Sequence, residues 1–353
     1  MRTLFVLDEQ KADRKREDTV IMRKNGIVAG AMLALGLAAF SDSAVAQQKL
    51  GEISVSAVPS TSSVVLYVAK DQGYFEKEGL DVRIAEFASG AEAERAMVTG
   101  AVDMGGGGLG STFLMANQGI KAKNIVLFQK KPIFTLVAGN KLDAKPGDLK
   151  ALKGKTIGIS GPGSLTDLFL RIALRDAGLD PDRDVTIVAT GGLAAHLPAI
   201  QTGRVDAQMT WEPATVTLTK GEKVGRVFLD LRSDDVPPSL QNLLGSSLQA
   251  TDQWLAKPEN LAKAKAAARA VKKAGDAIRA NPDLMMGTLQ KIFPKLSPEL
   301  LKEIARIEAP AYSANISREA IAHMNKVYRS AGLTKADVTY EDVIDPRLVS
   351  EWQ

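Results

Sequence analysis

Thr156-Ile157-Gly158-Ile159-Ser160-Gly161-Pro162-Gly163-Ser164-Leu165-Thr166 joins a β-rich run to a helical one. The strand stops at Ser160, Gly161-Pro162-Gly163 breaks it, and apolar residues then recur at helical spacing as far as Asp176. Ser164 or Thr166 can cap the new helix, whose free N–H groups and dipole favour an anion. Taken alone, the loop reads most simply as a plain cap.

Working outward, the same alternation recurs on both sides. Downstream come a strand at 185–189, a turn at Gly191-Gly192, a helix at 194–202 and a strand at 205–209. Upstream, a strand at 53–58 stops at Pro59-Ser60-Thr61-Ser62-Ser63, and a helix spans 64–77 before Gly79. A strand at 81–87 follows, then a helix opened by Ser89 and Gly90 and closed at Gly100. A short strand at 102–104 leads into the glycine run 105–108 and a helix at 111–118, with further strands at 125–128 and 135–138. The order βαβαβ in both segments predicts two open, mostly parallel sheets flanked by helices. From Pro258 the pattern is almost entirely helical, with helices at 261–280, 298–308 and 317–331.

Composition narrows the chemistry. The 353 residues suggest about two domains, and 45% hydrophobic with 24% charged residues is the balance of a globular chain. There is no cysteine, and the two histidines, His196 and His323, lie far apart. Cys/His zinc sites, disulfides, thiol nucleophiles and iron–sulfur clusters are thereby excluded. A net charge of +4 over the whole chain makes no case for nucleic acid.

The N-terminal region reads as an export signal. Arg23 and Lys24 precede an uncharged run of 14 residues, 27–40, and Ala44-Val45-Ala46 forms a small-residue cleavage site. Fourteen helical residues cover about 21 Å, short of the ~30 Å hydrocarbon core. Cleavage after Ala46 would leave 307 residues, net +3, with no cysteine for a lipid anchor. Residues 1–21 are polar and charged ahead of that signal, so Met22 is an alternative start. The expected location is a bacterial periplasm.

Several motifs invite enzyme readings that their context rejects. Gly105-Gly106-Gly107-Gly108-Leu109-Gly110 fits G-x-G-x-x-G, but about 20 residues on stands Gln129-Lys130-Lys131 rather than an acidic residue for a ribose. Ser160 has Gly158 before it but Pro162 after it, so no nucleophile elbow forms. In Arg204-Val205-Asp206-Ala207-Gln208-Met209-Thr210-Trp211-Glu212-Pro213, Trp211 reads as core or interface packing and Asp206 as a turn residue. A buried Glu212 needs a partner, either a hinge contact or a ligand. No catalytic residue, cofactor or metal is called for.

Certain stretches taken together carry a resemblance. They are Tyr67-Val68-Ala69-Lys70-Asp71-Gln72-Gly73-Tyr74-Phe75-Glu76-Lys77-Glu78-Gly79-Leu80, Leu152-Lys153-Gly154-Lys155-Thr156-Ile157-Gly158, the Trp-Glu-Pro stretch, and an element that occurs twice. That element is Thr99-Gly100-Ala101-Val102-Asp103 and again Thr202-Gly203-Arg204-Val205-Asp206. From about residue 51 to 285 the chain resembles the nitrate/sulfonate/taurine-type periplasmic solute-binding proteins of ABC importers. The resemblance implies an α/β two-lobed periplasmic-binding-protein fold, type II-like, with C-terminal helices packed on lobe one. Lobe one would hold 49–140, lobe two 141–235, and 236–353 would return to lobe one.

The resemblance further implies a non-enzymatic, monomeric binder whose partners are a small-molecule ligand and an inner-membrane ABC permease. The ligand would lie in the cleft, against Ser60, Thr61, Ser89, Gly90, Gly107, Gly108, Ser111 and Thr112 of the first lobe. The second lobe would add Ser160, Gly163, Ser164, Thr166, Gly191, Trp211 and Glu212. A sulfonate, carboxylate or nitrate fits hydroxyls and backbone N–H groups at helix N-termini. No lysine or arginine is placed in the cleft, and Glu212 would repel an anion, so a neutral or aromatic solute stays open. The rivals are a pyrimidine-precursor enzyme on the same fold, disfavoured by the export signal and the missing cysteines, and a sensor accessory.

Overall fold

A computed structural model of the chain describes residues 49–233 and 236–352. The export signal and its cleavage point lie outside the described residues. The strands are β1 Gly51–Ala57, β2 Leu80–Glu86, β3 Met104–Gly108, β4 Ala122–Leu127, β5 Thr135–Gly139, β6 Thr156–Ile159, β7 Thr186–Ala189, β8 Ala207–Thr210, β9 Gly225–Asp230 and β10 Ser246–Thr251. They form two five-stranded sheets, ordered β2-β1-β3-β10-β4 and β7-β6-β8-β5-β9. In each sheet one strand alone runs against the rest: β10 is antiparallel to β3 and β4, and β5 to β8 and β9. The two sheets thus share one topology, and each antiparallel strand enters by a chain crossing from the other sheet.

The doubled Thr-Gly-x-Val-Asp element explains the shared topology. Gly100 and Gly203 take φ of 76° and 73°, left-handed values that close the helices before them. Val102 and Val205 are buried behind the turn. The Asp103 carboxylate then accepts from the Ser54 backbone N–H at 2.7 Å, and the Asp206 carboxylate from that of Thr156 at 2.8 Å. Each aspartate locks the strand it precedes to the sheet's first strand, β3 to β1 and β8 to β6. Asp206 is therefore more than a turn residue.

The helices that matter here are α1 Val64–Asp71, α2 Gly90–Val98, α3 Ser111–Asn117, α4 Leu165–Asp176, α5 Leu193–Gln201, α6 Pro258–Ala280, α7 Met286–Ile292, α8 Pro298–Glu308 and α9 Arg318–Ser330. The helix expected over 64–77 breaks at Gly73, whose φ of 65° ends α1 before a single turn at Tyr74–Lys77. On α6 the buried face is built from Ala264, Ala267, Ala268, Val271 and Ala274. Side chains this small let the axis lie close against lobe one. Arg269 and Lys273 of the same helix bind Glu78, and the Trp352 indole N–H donates to the Ile125 carbonyl. The C-terminal helices are thereby held on lobe one, as the family resemblance implied.

The short strand expected at 102–104 instead starts at Met104 and runs through all four glycines as β3, paired to β1 on one side and β10 on the other. Strand 135–139 belongs to the second sheet, so the first crossing comes before residue 135 rather than at 140. Every residue of β5 is buried, and a strand buried on both faces reads alike whichever sheet it joins. β9 and β10 had no place in the sequence reading. The polar Ser246-Ser247 opening of β10 and the mixed pattern of β9 hide strands whose partners are distant in sequence.

Candidate functional site

The C-terminal ends of β1, β2, β3 and β6 meet between the lobes, where open α/β sheets place ligands. There a small cavity of about 60 Å³ is lined by Ser60, Ser62, Ser63, Gly90, Gly107 and Gly108 of lobe one and by Ser160, Ser164, Thr166 and Trp211 of lobe two. Phe128 and Phe134 from the first crossing segment, Ser246 at the end of the second, and Val58, Gly106 and Leu165 complete the lining. None of these side chains carries a formal charge.

Three helices begin at this wall. Ser63 precedes α1, Ser89 caps α2 by accepting the Glu92 N–H, and Ser164 caps α4 by accepting the Asp167 N–H. The first backbone N–H groups of a helix lack intrahelical partners, and the aligned dipoles leave partial positive charge there. Convergence of three such ends raises the potential at one point without a lysine or arginine. The hydroxyls add direction. Ser160, Ser164 and Thr166 lie 2.7–3.0 Å from one another, oxygen to oxygen, in a buried triangle. Each hydroxyl can turn its proton from a neighbour to a guest at little cost.

The lobes touch across the cavity. A side chain at Gly108 would collide with Leu165, and one at Gly192 would come within 3.2 Å of the Ala88 carbonyl oxygen. Glycine at both places permits this approach.

Trp211 forms the apolar wall. Its ring meets His196 edge-on at 5.1 Å and Phe134 edge-on at 6.1 Å, and its buried Nε1–H finds no acceptor among the described residues. His196 was passed over in the sequence. It is fully buried, within 2.8 Å of the Thr210 hydroxyl through Nδ1 and 3.0 Å of the Gly191 carbonyl through Nε2. It holds both the tryptophan and the Gly191 turn. Burial drives its pKa down to about 4, so the ring is neutral at pH 7.

The unfolded chain takes up that proton near pH 6.5 and the folded chain does not. The contribution of His196 to stability is therefore complete above about pH 6.5 and is lost as pH falls towards 4. About 2 kcal/mol should be gone by pH 5. Urea midpoints at pH 7 and pH 5 check this: His196→Asn should remove that part of the slope, and an unchanged slope would refute it.

Seven expected site residues do not line the cavity. Ser89 and Gly163 stand behind it: Ser89 caps α2, and the Gly163 N–H donates to Asp167. Gly191 anchors His196. Ser111 is buried beside Glu94, whose carboxylate accepts the Gly108 N–H. Thr112 donates to the Leu109 carbonyl, and the Thr61 carbonyl accepts from the Tyr312 hydroxyl. Glu212 is turned away. It accepts from Arg232 at 2.7 Å and from the Val216 N–H at 3.0 Å, so it does not oppose an anion in the cavity. Of the lining residues the sequence reading missed, Ser62 and Ser63 stood in its own polar turn cluster. Phe128, Phe134 and Ser246 carried no local signal, because chain crossing alone brings them there.

Arg232 belongs to the second crossing segment. It pairs with Glu212 and with Asp230 at 2.8 Å, and lies 3.8 Å from Glu308 at the end of α8. Burial pushes the Glu308 carboxyl up to about 8, against the pull of Arg232, and Glu212 also lies above its ordinary range through burial.

The family described as NMT1/THI5 like matches residues 60–284. The chain belongs to that family. Putative binding proteins of Brucella are 31% identical over 172 residues, 48% of this chain and 50% of theirs. The chain thus spans about half the length of the first curated relatives it matches. The taurine-binding periplasmic protein of Escherichia coli is 29% identical over 235 residues, covering 60% of this chain and 72% of that protein. A 4-amino-5-hydroxymethyl-2-methylpyrimidine phosphate synthase of Saccharomyces cerevisiae is 28% identical over 149 residues, 42% of each chain. Among solved structures, the alkanesulfonate-binding protein of Xanthomonas axonopodis bound to MOPS superposes with a TM-score of 0.68 at 18% identity, covering 84% of this chain and 99% of that one. That likeness confirms the two-lobed fold. No helix among the described residues is long and apolar enough to cross a membrane.

Proposed function

We propose that the protein is a periplasmic solute-binding component that captures a small anionic organic solute between its lobes and delivers it to an ABC permease. One observation carries the reading. Three helix N-termini and a triangle of hydroxyls converge on a small cavity between the lobes with no charged side chain. A sulfonate, carboxylate or nitrate gains charge-assisted hydrogen bonds there, while a cation meets only positive dipole ends. The taurine-binding relative supports the same class of solute. Capture needs no chemistry: the ligand bridges the lobes and stabilises the closed form.

A calorimetric and thermal-shift screen of sulfonates, aliphatic and aromatic carboxylates and nitrate, with sugars and amines as controls, tests this. At 100 times Kd a true ligand adds about 2.7 kcal/mol to stability. Hits confined to sugars or amines would overturn the anionic reading. Loss of uptake of the identified solute on deleting the gene would separate transport from sensing.

A further inference from the structure

Directly behind the cavity wall lies a carboxylate. Glu94 sits one turn into α2, whose first residue, Gly90, lines the cavity. Its side chain packs against the glycines of β3. One carboxylate oxygen accepts the Gly108 N–H at 2.8 Å, and a Cβ at Gly107 would collide with the same group. Gly107 and Gly108 both line the cavity, so one layer of backbone separates this carboxylate from whatever fills it. Glu94 is 5% exposed, and no cation faces it among the described residues. α3 presents the Ser111 hydroxyl, and α9 the Tyr328 hydroxyl, which is buried without a partner among the described residues. From β10 the Gln249 amide donates to the Gly108 carbonyl, and from β1 the Ser56 hydroxyl donates to the Ala93 carbonyl. Lobe two offers only Leu165, beside Gly108. Of these groups Tyr328 alone titrates, and burial holds its hydroxyl far above the ordinary range. On α2 itself Glu92 and Arg95 are exposed.

We propose that Glu94 makes anion capture proton-linked: when the anion enters the cavity, the Glu94 carboxylate takes up one proton from solvent. The inference rests on the proposed capture of an anion and concerns the regulation of that same site. Geometry carries it, because the carboxylate is buried, unpaired and directly behind two lining glycines. A negative charge so placed, screened far less than in water, opposes a second one in the cavity. Linkage makes the effect reciprocal: a proton on Glu94 favours the anion, and the anion favours the proton to the same degree. Burial already raises the Glu94 carboxyl to about 7, against the hydrogen bonds from Ser111 and Gly108. A bound anion raises it further. Affinity is therefore full below about pH 7 and falls as pH rises from there to the anion-bound value. Each unit between the two values is worth about tenfold in Kd.

Titration calorimetry with methanesulfonate and with nitrate at pH 6 and pH 9 tests this, since neither probe changes its charge over that range. Cationic buffers keep other oxyanions out of the cavity. Kd should be about tenfold higher at pH 9 than at pH 6. A pH electrode in weakly buffered protein at pH 7.5 should record uptake of about half a proton or more per anion bound. Glu94→Gln keeps an acceptor for the Gly108 N–H and should abolish both the pH dependence and the uptake. Should that variant not fold, Ser111→Ala keeps the test: it removes a hydroxyl that steadies the charged form, so the pH at which affinity starts to fall should move up. An onset unmoved by Ser111→Ala would overturn the proposal. Anion binding with equal Kd at both pH values and no proton uptake would overturn the linkage while leaving capture standing. A pH dependence that survives in Glu94→Gln, or tighter binding at pH 9, would also overturn it. No binding of either probe at any pH would overturn the linkage and anion capture together.

Discussion

Arg232→Met should destabilise the protein by about 3–5 kcal/mol, since it strips the guanidinium from buried carboxylates while keeping the side chain's volume. Glu212 and Glu308 are each about 1% exposed, and Arg232 is the cation the structure places against both. A fall in Tm on the order of 10 °C is expected. The loss should also depend on pH. Burial holds both carboxyls above their unfolded range, Glu308 at about 8. Their favourable contribution is full below about pH 4.5 and is lost as pH rises through the folded value. Without Arg232 the folded values climb further, so the penalty of the substitution grows as pH rises through the native folded values, which for Glu308 means at and above about pH 8. Urea denaturation of both proteins at pH 5 and pH 9 measures it, and an equal penalty at both would show that the carboxylates do not depend on this arginine. Because Glu308 comes from the lobe-one helices and Glu212 from lobe two, the cluster also ties the crossing segment to both bodies.

Ser164→Ala combined with Thr166→Ala should weaken binding of the anionic ligand tenfold or more while the fold survives. Each lost charge-assisted hydrogen bond costs roughly 1.5–3 kcal/mol. Ser164 also caps α4 through the Asp167 N–H, so about 1 kcal/mol of stability goes with it. That is small beside the stability of a domain of this size. Circular dichroism should be unchanged and Kd raised. If Kd stays the same, the head group is held elsewhere than at the start of α4. If the double variant unfolds, Thr166→Ala alone keeps the test, since Thr166 is not the cap; its hydroxyl accepts the Ser160 N–H at 2.9 Å.

Much of the fold was legible from local pattern. The strand–turn–helix units recur with their glycine stops, and the two Thr-Gly-x-Val-Asp elements announce two copies of one topology, because the left-handed glycine and the strand-locking aspartate act within a short stretch of chain. The loop around Ser160–Thr166 was equally legible, since a cap is a local hydrogen bond. The Pro59–Ser63 cluster reads locally as a turn, and its three serines, Ser60, Ser62 and Ser63, line the cavity.

Sequence by itself determined the two-lobed α/β plan, the exclusion of cysteine chemistry and the serine-rich cap that opens α4. Tertiary structure alone decided which sheet β5 joins, that four glycines form a strand, and that Phe128, Phe134 and Ser246 reach the cavity. It alone turned Glu212 from a threat to an anion into the partner of Arg232, and set His196 behind Trp211. The division has one physical cause. Caps, turns and periodicity depend on neighbours a few residues away. Strand partners, charge pairing and burial depend on groups brought together from distant parts of the chain, as Glu212 and Glu308 are around Arg232.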